Sequence, residues 1–247
     1  MLLTNDFRDD AFGAQFQSIL WSILYAEVNG HTFFYSPIRH MNNAAENEKE
    51  YIEQAEKCMN LRNKYKNVFT AYSEKDHIIY ALRAPLFFYE IENNMEKYHQ
   101  TETFAKLQSY YFENKESPFD KTHIHIAVHI RKKMHFDVND NGYRDDTYYI
   151  EPMRALQSIL KKEEKPLLFH IYSIGKQEDF AAFAEFPLQF HLEEDTFQSF
   201  IGLTFADILI LAPSSFSYTA ALLTKGTVVY TKFWHPPRQH WLVTRYV

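Results

Sequence analysis

Three short clusters hold the residue types from which chemistry could be built. His129-Ile130-Arg131 closes an extended run, His123 to Arg131, in which Ile124, Ile126, Val128 and Ile130 share one parity and His123, His125, His129 and Arg131 the other. An arginine leaving a strand there projects from the carboxyl edge of a sheet. Its planar, always-charged fork of donors suits a diphosphate, although a surface ion pair is the plainer use. Ala212-Pro213-Ser214-Ser215-Phe216-Ser217 joins an apolar strand to a helix rich in Ala and Leu. Serines there cap the helix, and the free N–H groups with added hydroxyls form an anion site. Phe12-Gly13-Ala14-Gln15-Phe16-Gln17 is a glycine turn opening the first helix, where Gly13 permits close approach of a ligand and Gln15 offers an amide to a hydroxylated substrate.

Two metal-like patterns are weighed and set aside. His123, His125 and His129 share a strand face, but the sequence places no carboxylate beside them, so satisfied or half-exposed histidines are the simpler reading. Asp137-x-Asn139-x-Asn141-Gly142 copies the opening of a calcium loop, yet its twelfth position is Tyr148 rather than a bidentate glutamate, and a turn-rich loop is expected instead. The chain has no Gly-x-Gly-x-x-Gly, Walker, His-Glu-x-x-His or Gly-x-Ser-x-Gly motif, and no Asp-x-Asp pair to clamp a divalent ion. No metal and no cofactor are expected.

These clusters need a frame. Phe16, Ile19, Leu20, Ile23 and Leu24 recur at helical spacing between Ala14 and Val28, and Asn29-Gly30 supplies the stop. A short strand, His31 to Tyr35, follows, and the charged stretch from Asn42 to Lys66 reads as a solvated helix, with a partner-binding arm as the alternative. The polar segment Asn114 to Lys121, with Pro118, marks a domain boundary, giving 1–117 and 118–247. Beyond the strand ending at Arg131, the pattern predicts a helix from Tyr148 to Lys162, a strand from Pro166 to Ser173 and a short helix from Lys176 to Phe183. A helix from Asp195 to Phe205, a strand from Asp207 to Ala212, a tight loop to Ser217, a helix from Tyr218 to Leu223 and a strand from Thr227 to Thr231 complete it. Alternation of this kind implies a parallel α/β sheet, which binds ligands beyond the carboxyl ends of its strands. On that topology Ser173, Ile174 and Gly175 lie at a strand end where such a ligand sits, and Trp234, His235 and Pro236 pack at a lobe interface.

Composition bounds the function. The 247 residues carry 26 Lys+Arg against 32 Asp+Glu, a net charge of −6, which argues against a nucleic-acid-coating protein. With 46% hydrophobic and 17% aromatic residues the chain has ample core material. Cys58 is the sole cysteine, so no internal disulfide and no cysteine-rich zinc module is available. Residues 1–10 lack a basic segment followed by an apolar run, and no stretch approaches the ~18–20 apolar residues of a membrane span. A cytoplasmic protein without membrane insertion is expected.

The order of these clusters resembles that of the fucosyltransferase-like inverting glycosyltransferases of GT-B architecture. In that group a Gly-x-Gly-Asn-Gln-like turn precedes a long helix, a His-x-Arg-Arg-Gly-Asp-like motif opens the second lobe, and a Ser-Ser-Phe-Ser segment lies near the end. Here Phe12 to Gln15, His129 to Arg131, and Ser214 to Ser217 followed by Tyr218-Thr219-Ala220-Ala221 take those places over nearly the whole chain. The departures are a single glycine in the first motif, Arg131-Lys132-Lys133-Met134 in the second, and a longer loop after it.

The resemblance implies an α/β fold with two facing Rossmann-like lobes, the N-terminal one reduced. Residues 1–117 would form the acceptor side, with Gly13 and Gln15, and 118–247 would bind the nucleotide sugar. Arg131 would hold the diphosphate with Ser214, Ser215, Phe216 and Ser217 at the helix start, while His129 lines the pocket beside Ser173 and Gly175. Asp137, in Phe136-Asp137-Val138, would be the base, with Asp140, Asp145 and Asp146 as rivals. Arg144 and Tyr148-Tyr149 resemble the residues opening the next helix. The implied activity is metal-independent transfer of a sugar, from GDP-fucose or from UDP-xylose or another donor, to a glycan hydroxyl. The alternative is a catalytically silent glycan- or nucleotide-binding protein on the same scaffold.

Overall fold

Strand β1 (Leu2–Asn5) spans only four residues, too few for its alternation to stand out, yet it is the middle strand of the first sheet. In this computed structural model the described residues are all but 43, 45–46, 72–78, 84–85, 133–141 and 245–247. They divide into two units, Met1–Lys115 and Glu116–Val247, a division that falls within the polar stretch from Asn114 to Lys121.

In the first unit β1 leads into α1 (Phe12–Val28), which starts two residues before the periodicity predicts. Phe16, Ile19, Leu20, Ile23 and Leu24 are all buried, as the spacing requires, and Trp21 is buried with them. Gly30 ends the helix with φ +71, while its N–H bonds to Glu27 O and that of His31 to Ala26 O, a left-handed cap that suits glycine. Strand β2 (Thr32–Phe34), α2 (Glu48–Met59), α3 (Val68–Ala71) and β3 (Ile79–Leu82) follow, giving a parallel sheet of order β2-β1-β3. Helices α4 (Leu86–Asn93), α5 (Met95–His99) and α6 (Glu102–Phe112) complete the unit. Among its described residues the charged stretch from Asn42 to Lys66 is helical over α2, and that helix buries Ala55, Glu56, Cys58 and Met59.

The second unit is one six-stranded parallel sheet of order β6-β5-β4-β7-β8-β9. Its elements are β4 (Ile124–His129), α7 (Thr147–Ile159), β5 (Leu167–Ser173), β6 (Leu188–Leu192), α8 (Thr196–Phe205), β7 (Ile208–Ile210), α9 (Ser215–Leu223), β8 (Thr227–Thr231) and β9 (Leu242–Thr244). Ile126, Val128, Phe169 and Ile171 join Tyr149 and Met153 of α7 in the core on one face. The other face of β4 is covered as well, because α8 packs there, and a Cβ on Gly202 would fall 2.1 Å from the Tyr172 hydroxyl. His125 is therefore buried at 3% exposure and does not stand on a solvated face. From β4 the chain builds outward through β5 and β6, then returns to place β7, β8 and β9 on the opposite side, so the order reverses between β4 and β7.

Candidate functional site

At the reversal point of an open parallel sheet the loops leaving two neighbouring strands diverge and open a crevice. Strand β4 delivers His129, Ile130 and Arg131 to that place, and β7 delivers Leu211 to Ser217. The two segments converge on Gly142. A Cβ built there would sit 2.8 Å from Arg131 Nε and 3.1 Å from the carbonyl oxygen of Pro213, so all three groups share one spot. Only glycine leaves room for the arginine beside the turn. In the sequence Gly142 is the sixth residue of a calcium-loop look-alike, and nothing local marks it as the partner of residues 131 and 213.

Helix α9 begins at Ser215, three residues earlier than predicted, because Ser214 caps it. Ser214 Oγ accepts from Phe216 N–H at 3.2 Å, and the Ser214 N–H donates to Ala212 O at 2.8 Å. The helical ladder starts with Tyr218 N–H to Ser214 O at 3.0 Å. Helix geometry thus leaves the Ser215 and Ser217 N–H groups without intrahelical acceptors at the positive end of the helix dipole. The hydroxyls divide their work. Ser217 Oγ is buried and donates to Ala212 O at 3.2 Å, whereas Ser215 Oγ shares a hydrogen bond with His235 Nε2 at 3.2 Å.

His129 is half-buried, its ring 5.4 Å from that of Phe216, which in turn meets Phe200 edge-on at 5.3 Å. The His129 Nδ1 atom is buried with no hydrogen-bond partner among the described residues. Burial, and then the charge of Arg131, hold its pKa down at about 3, so the ring is neutral at physiological pH. Ser173, at the end of β5, donates from Oγ to Ile130 O at 2.7 Å and so fixes the backbone leading into Arg131. Gly175 has φ +109, and its N–H is held by the Glu193 carboxylate at 2.8 Å. Tyr149, in the first turn of α7, is buried, and burial raises its phenol well above the usual range.

The expected bases separate. Asp137 and Asp140 lie outside the described residues. Asp145 Oδ1 accepts from the N–H of Thr147 at 3.0 Å and of Tyr148 at 3.4 Å, so this carboxylate is occupied by the first N–H groups of α7. Asp146 is half-buried beside it, and the Arg144 guanidinium lies 5.7 Å over the Tyr148 ring. At the C-terminal end of the unit, His235 is buried and stacks on Tyr218 at 4.5 Å, while Trp234 is 49% exposed.

In the first unit, Gly13 and Gln15 are both buried in the opening turn of α1. Gln15 Nε2 donates to Asp10 O and His40 O, each at 2.7 Å, so its donors bind the chain itself and tie the loop after β1 to the loop after β2. Asn5 and Ser36 reinforce that tie with two reciprocal bonds of 2.9 Å. A cleft at this strand edge is lined by Asn5, Asp6, Arg8, Ser18, Pro37 and Arg39, among others.

No family model and no curated protein matches the chain. Among solved structures it is similar to the fucosyltransferase NodZ from Bradyrhizobium, at 13% identity over 90% of this chain and 93% of that one, with a TM-score of 0.45. It is also similar to the E. coli heptosyltransferase WaaC with ADP-2-deoxy-2-fluoro heptose, at 12% identity over 99% and 92%, with a TM-score of 0.47. POFUT1 in complex with GDP gives 10% identity over 91% and 95%, with a TM-score of 0.42. Among the described residues no helix is long and apolar enough to cross a membrane.

Proposed function

We propose that the chain is a glycosyltransferase that inverts configuration and takes its sugar from a nucleotide-activated donor, with GDP-fucose as first candidate and UDP-xylose as the second. The supporting observation is the convergence of Arg131 and the Pro213–Ser217 helix start on Gly142 at the reversal point of the sheet. Sugar transfer passes through an oxocarbenium-like state while negative charge grows on the departing diphosphate. A fixed guanidinium and the N–H groups of Ser215 and Ser217 meet that charge most strongly when it is largest, which lowers the barrier and not merely the ground state. His129, neutral at working pH, adds ring donor or acceptor capacity without a second charge to offset the diphosphate. Ser173 acts by holding the strand end from which Arg131 departs. The glycan acceptor belongs with the first unit, and Asp137 is the proposed base that takes its hydroxyl proton.

The departure at Lys132-Lys133-Met134 from the family's second motif raises a second reading, a silent nucleotide- or glycan-binding protein. A panel of GDP-, UDP- and ADP-sugars incubated with mixed glycan acceptors separates the two. Release of nucleoside diphosphate coupled to acceptor labelling is expected. Tight nucleotide binding with neither release nor labelling would instead establish the silent protein.

A further inference from the structure

Histidines from three adjacent strands line up across the second sheet, at the end of β4 away from Arg131. His125 lies four positions before His129, about 13 Å along a strand. His125 Nδ1 lies 2.8 Å from His170 Nε2 on β5, and His170 Nδ1 lies 3.0 Å from His191 Nε2 on β6. A carboxylate stands at each end of the row: Asp120 Oδ1 is 3.5 Å from His125 Nε2, and Glu194 Oε1 is 3.4 Å from His191 Nδ1.

The protons do not balance. Five groups meet at four places, and with one hydrogen on each imidazole ring and none on the carboxylates only three hydrogens serve them. On that count one meeting place sets two lone pairs against each other. If His191 donates to Glu194, His170 donates to His191 and His125 donates to His170, the bare lone pair falls on His125 Nε2. That atom is buried without a hydrogen-bond partner, on a side chain only 4% exposed. An unpartnered buried acceptor facing a carboxylate calls for a cation.

A carboxylate and a second imidazole stand beside it. Donor atoms of Asp120, His123 and His125 all lie within 4.8 Å of one another, with His123 Nδ1 3.3 Å from Asp120 Oδ2. Separations of 3.3 and 3.5 Å match the edge of a tetrahedron whose metal bonds are roughly 2.0–2.1 Å long. We propose that Asp120, His123 and His125 form a binding site for a divalent transition-metal ion of the zinc class, separate from the nucleotide site, with the His170–His191–Glu194 row fixing the tautomer that aims His125 Nε2 at the ion.

The surroundings are built for that role. Ligating histidines ordinarily donate their other ring N–H to a fixed acceptor, here His170, and ligating carboxylates are themselves hydrogen-bonded. Thr122 donates to Asp120 Oδ1 from its N–H at 2.6 Å and from its hydroxyl at 2.7 Å, which keeps the carboxyl ionised. Phe119 stacks on the His125 ring at 4.7 Å and screens it. Two imidazoles and one carboxylate form a donor set suited to zinc, and the partial exposure of Asp120 and His123 leaves room for water to complete the shell. The carboxylate that the histidine-bearing strand lacks when read in sequence comes from a residue five positions before His125.

The test uses the full chain stripped of metal, titrated with zinc chloride by calorimetry and with cobalt(II) chloride by visible absorption. One ion per chain at micromolar affinity or tighter is expected, with the absorption bands of a tetrahedral nitrogen–oxygen site. Asp120→Asn and His123→Gln, both on partly exposed side chains, should each weaken binding at least about tenfold while circular dichroism stays unchanged. Glu48→Gln, at the surface pair with His40, should leave binding intact. Absence of stoichiometric binding, or binding that both substitutions leave within about twofold, overturns the proposal and assigns the missing hydrogen to an extra proton on the histidine row.

Discussion

His129 and Arg131 stand two residues apart, and the second bears on the chemistry of the first. Burial, and then the guanidinium, keep the imidazole neutral, so the pair carries a single positive charge. The neutral ring also leaves a trace in stability. The folded-state pKa of His129 is about 3, below the ordinary value near 6.5, so beneath pH 6.5 the unfolded chain takes up a proton that the folded chain refuses. Stability is then fully present above pH 6.5 and falls as the pH drops toward 3, by up to about 1.4 kcal/mol per pH unit for one such group. His170, held at about 3 by burial and by His191 and His125, contributes with the same sign. Urea unfolding of the parent and of His129→Gln between pH 7 and 5 should give a shallower decline in the variant. Parallel declines would mean that this imidazole is not shielded from protons.

In the proposed donor site helix α9 and the turn before it act through backbone groups, so that role is sensitive to geometry more than to side-chain identity. Gly142 is the test of that geometry. Gly142→Ala places a methyl group 2.8 Å from Arg131 Nε and 3.1 Å from Pro213 O, and the arginine, as the flexible partner, must move away. Nucleoside diphosphate affinity should fall about tenfold or more, with only a small loss of stability. Ser214→Ala should do the reverse, costing about 1 kcal/mol through loss of the cap with a smaller effect on binding. Equilibrium unfolding and calorimetry on the two variants distinguish these outcomes. The separate pieces were readable because a strand end and a serine-led helix start are local signals. Their meeting at Gly142 was not, since it depends on β4 pairing with β7, where Ile126 lies opposite Ile208. The histidine row was hidden for the same reason, since it draws one residue from each of three strands whose offset only the register determines.

Among the described residues, two parallel sheets of unequal size, three strands and six, follow from the alternation of short apolar runs with helices. The long periodic helices, α1 and α7, were plain in sequence because a dozen or more residues repeat one signal. Strands β1, β3 and β9, with only three or four residues each, are too short for alternation to show in sequence, and β6 is a five-residue edge strand. Loop residues after Arg131 carried the least readable roles: Asp145 holds the first N–H groups of α7, a use that the sequence does not separate from that of a base.

The most direct test is to titrate GDP, UDP and ADP in turn into the parent protein and into Arg131→Ala, reading heat and thermal midpoint together. At least one nucleotide should bind the parent and raise its midpoint, and the substitution should weaken that binding by about 1.5–3 kcal/mol, the range for a hydrogen bond to a charged group. A parent whose midpoint none of the three moves, or an Arg131→Ala protein that binds as tightly as the parent, would contradict the assignment of the crevice between β4 and β7 to a nucleotide diphosphate.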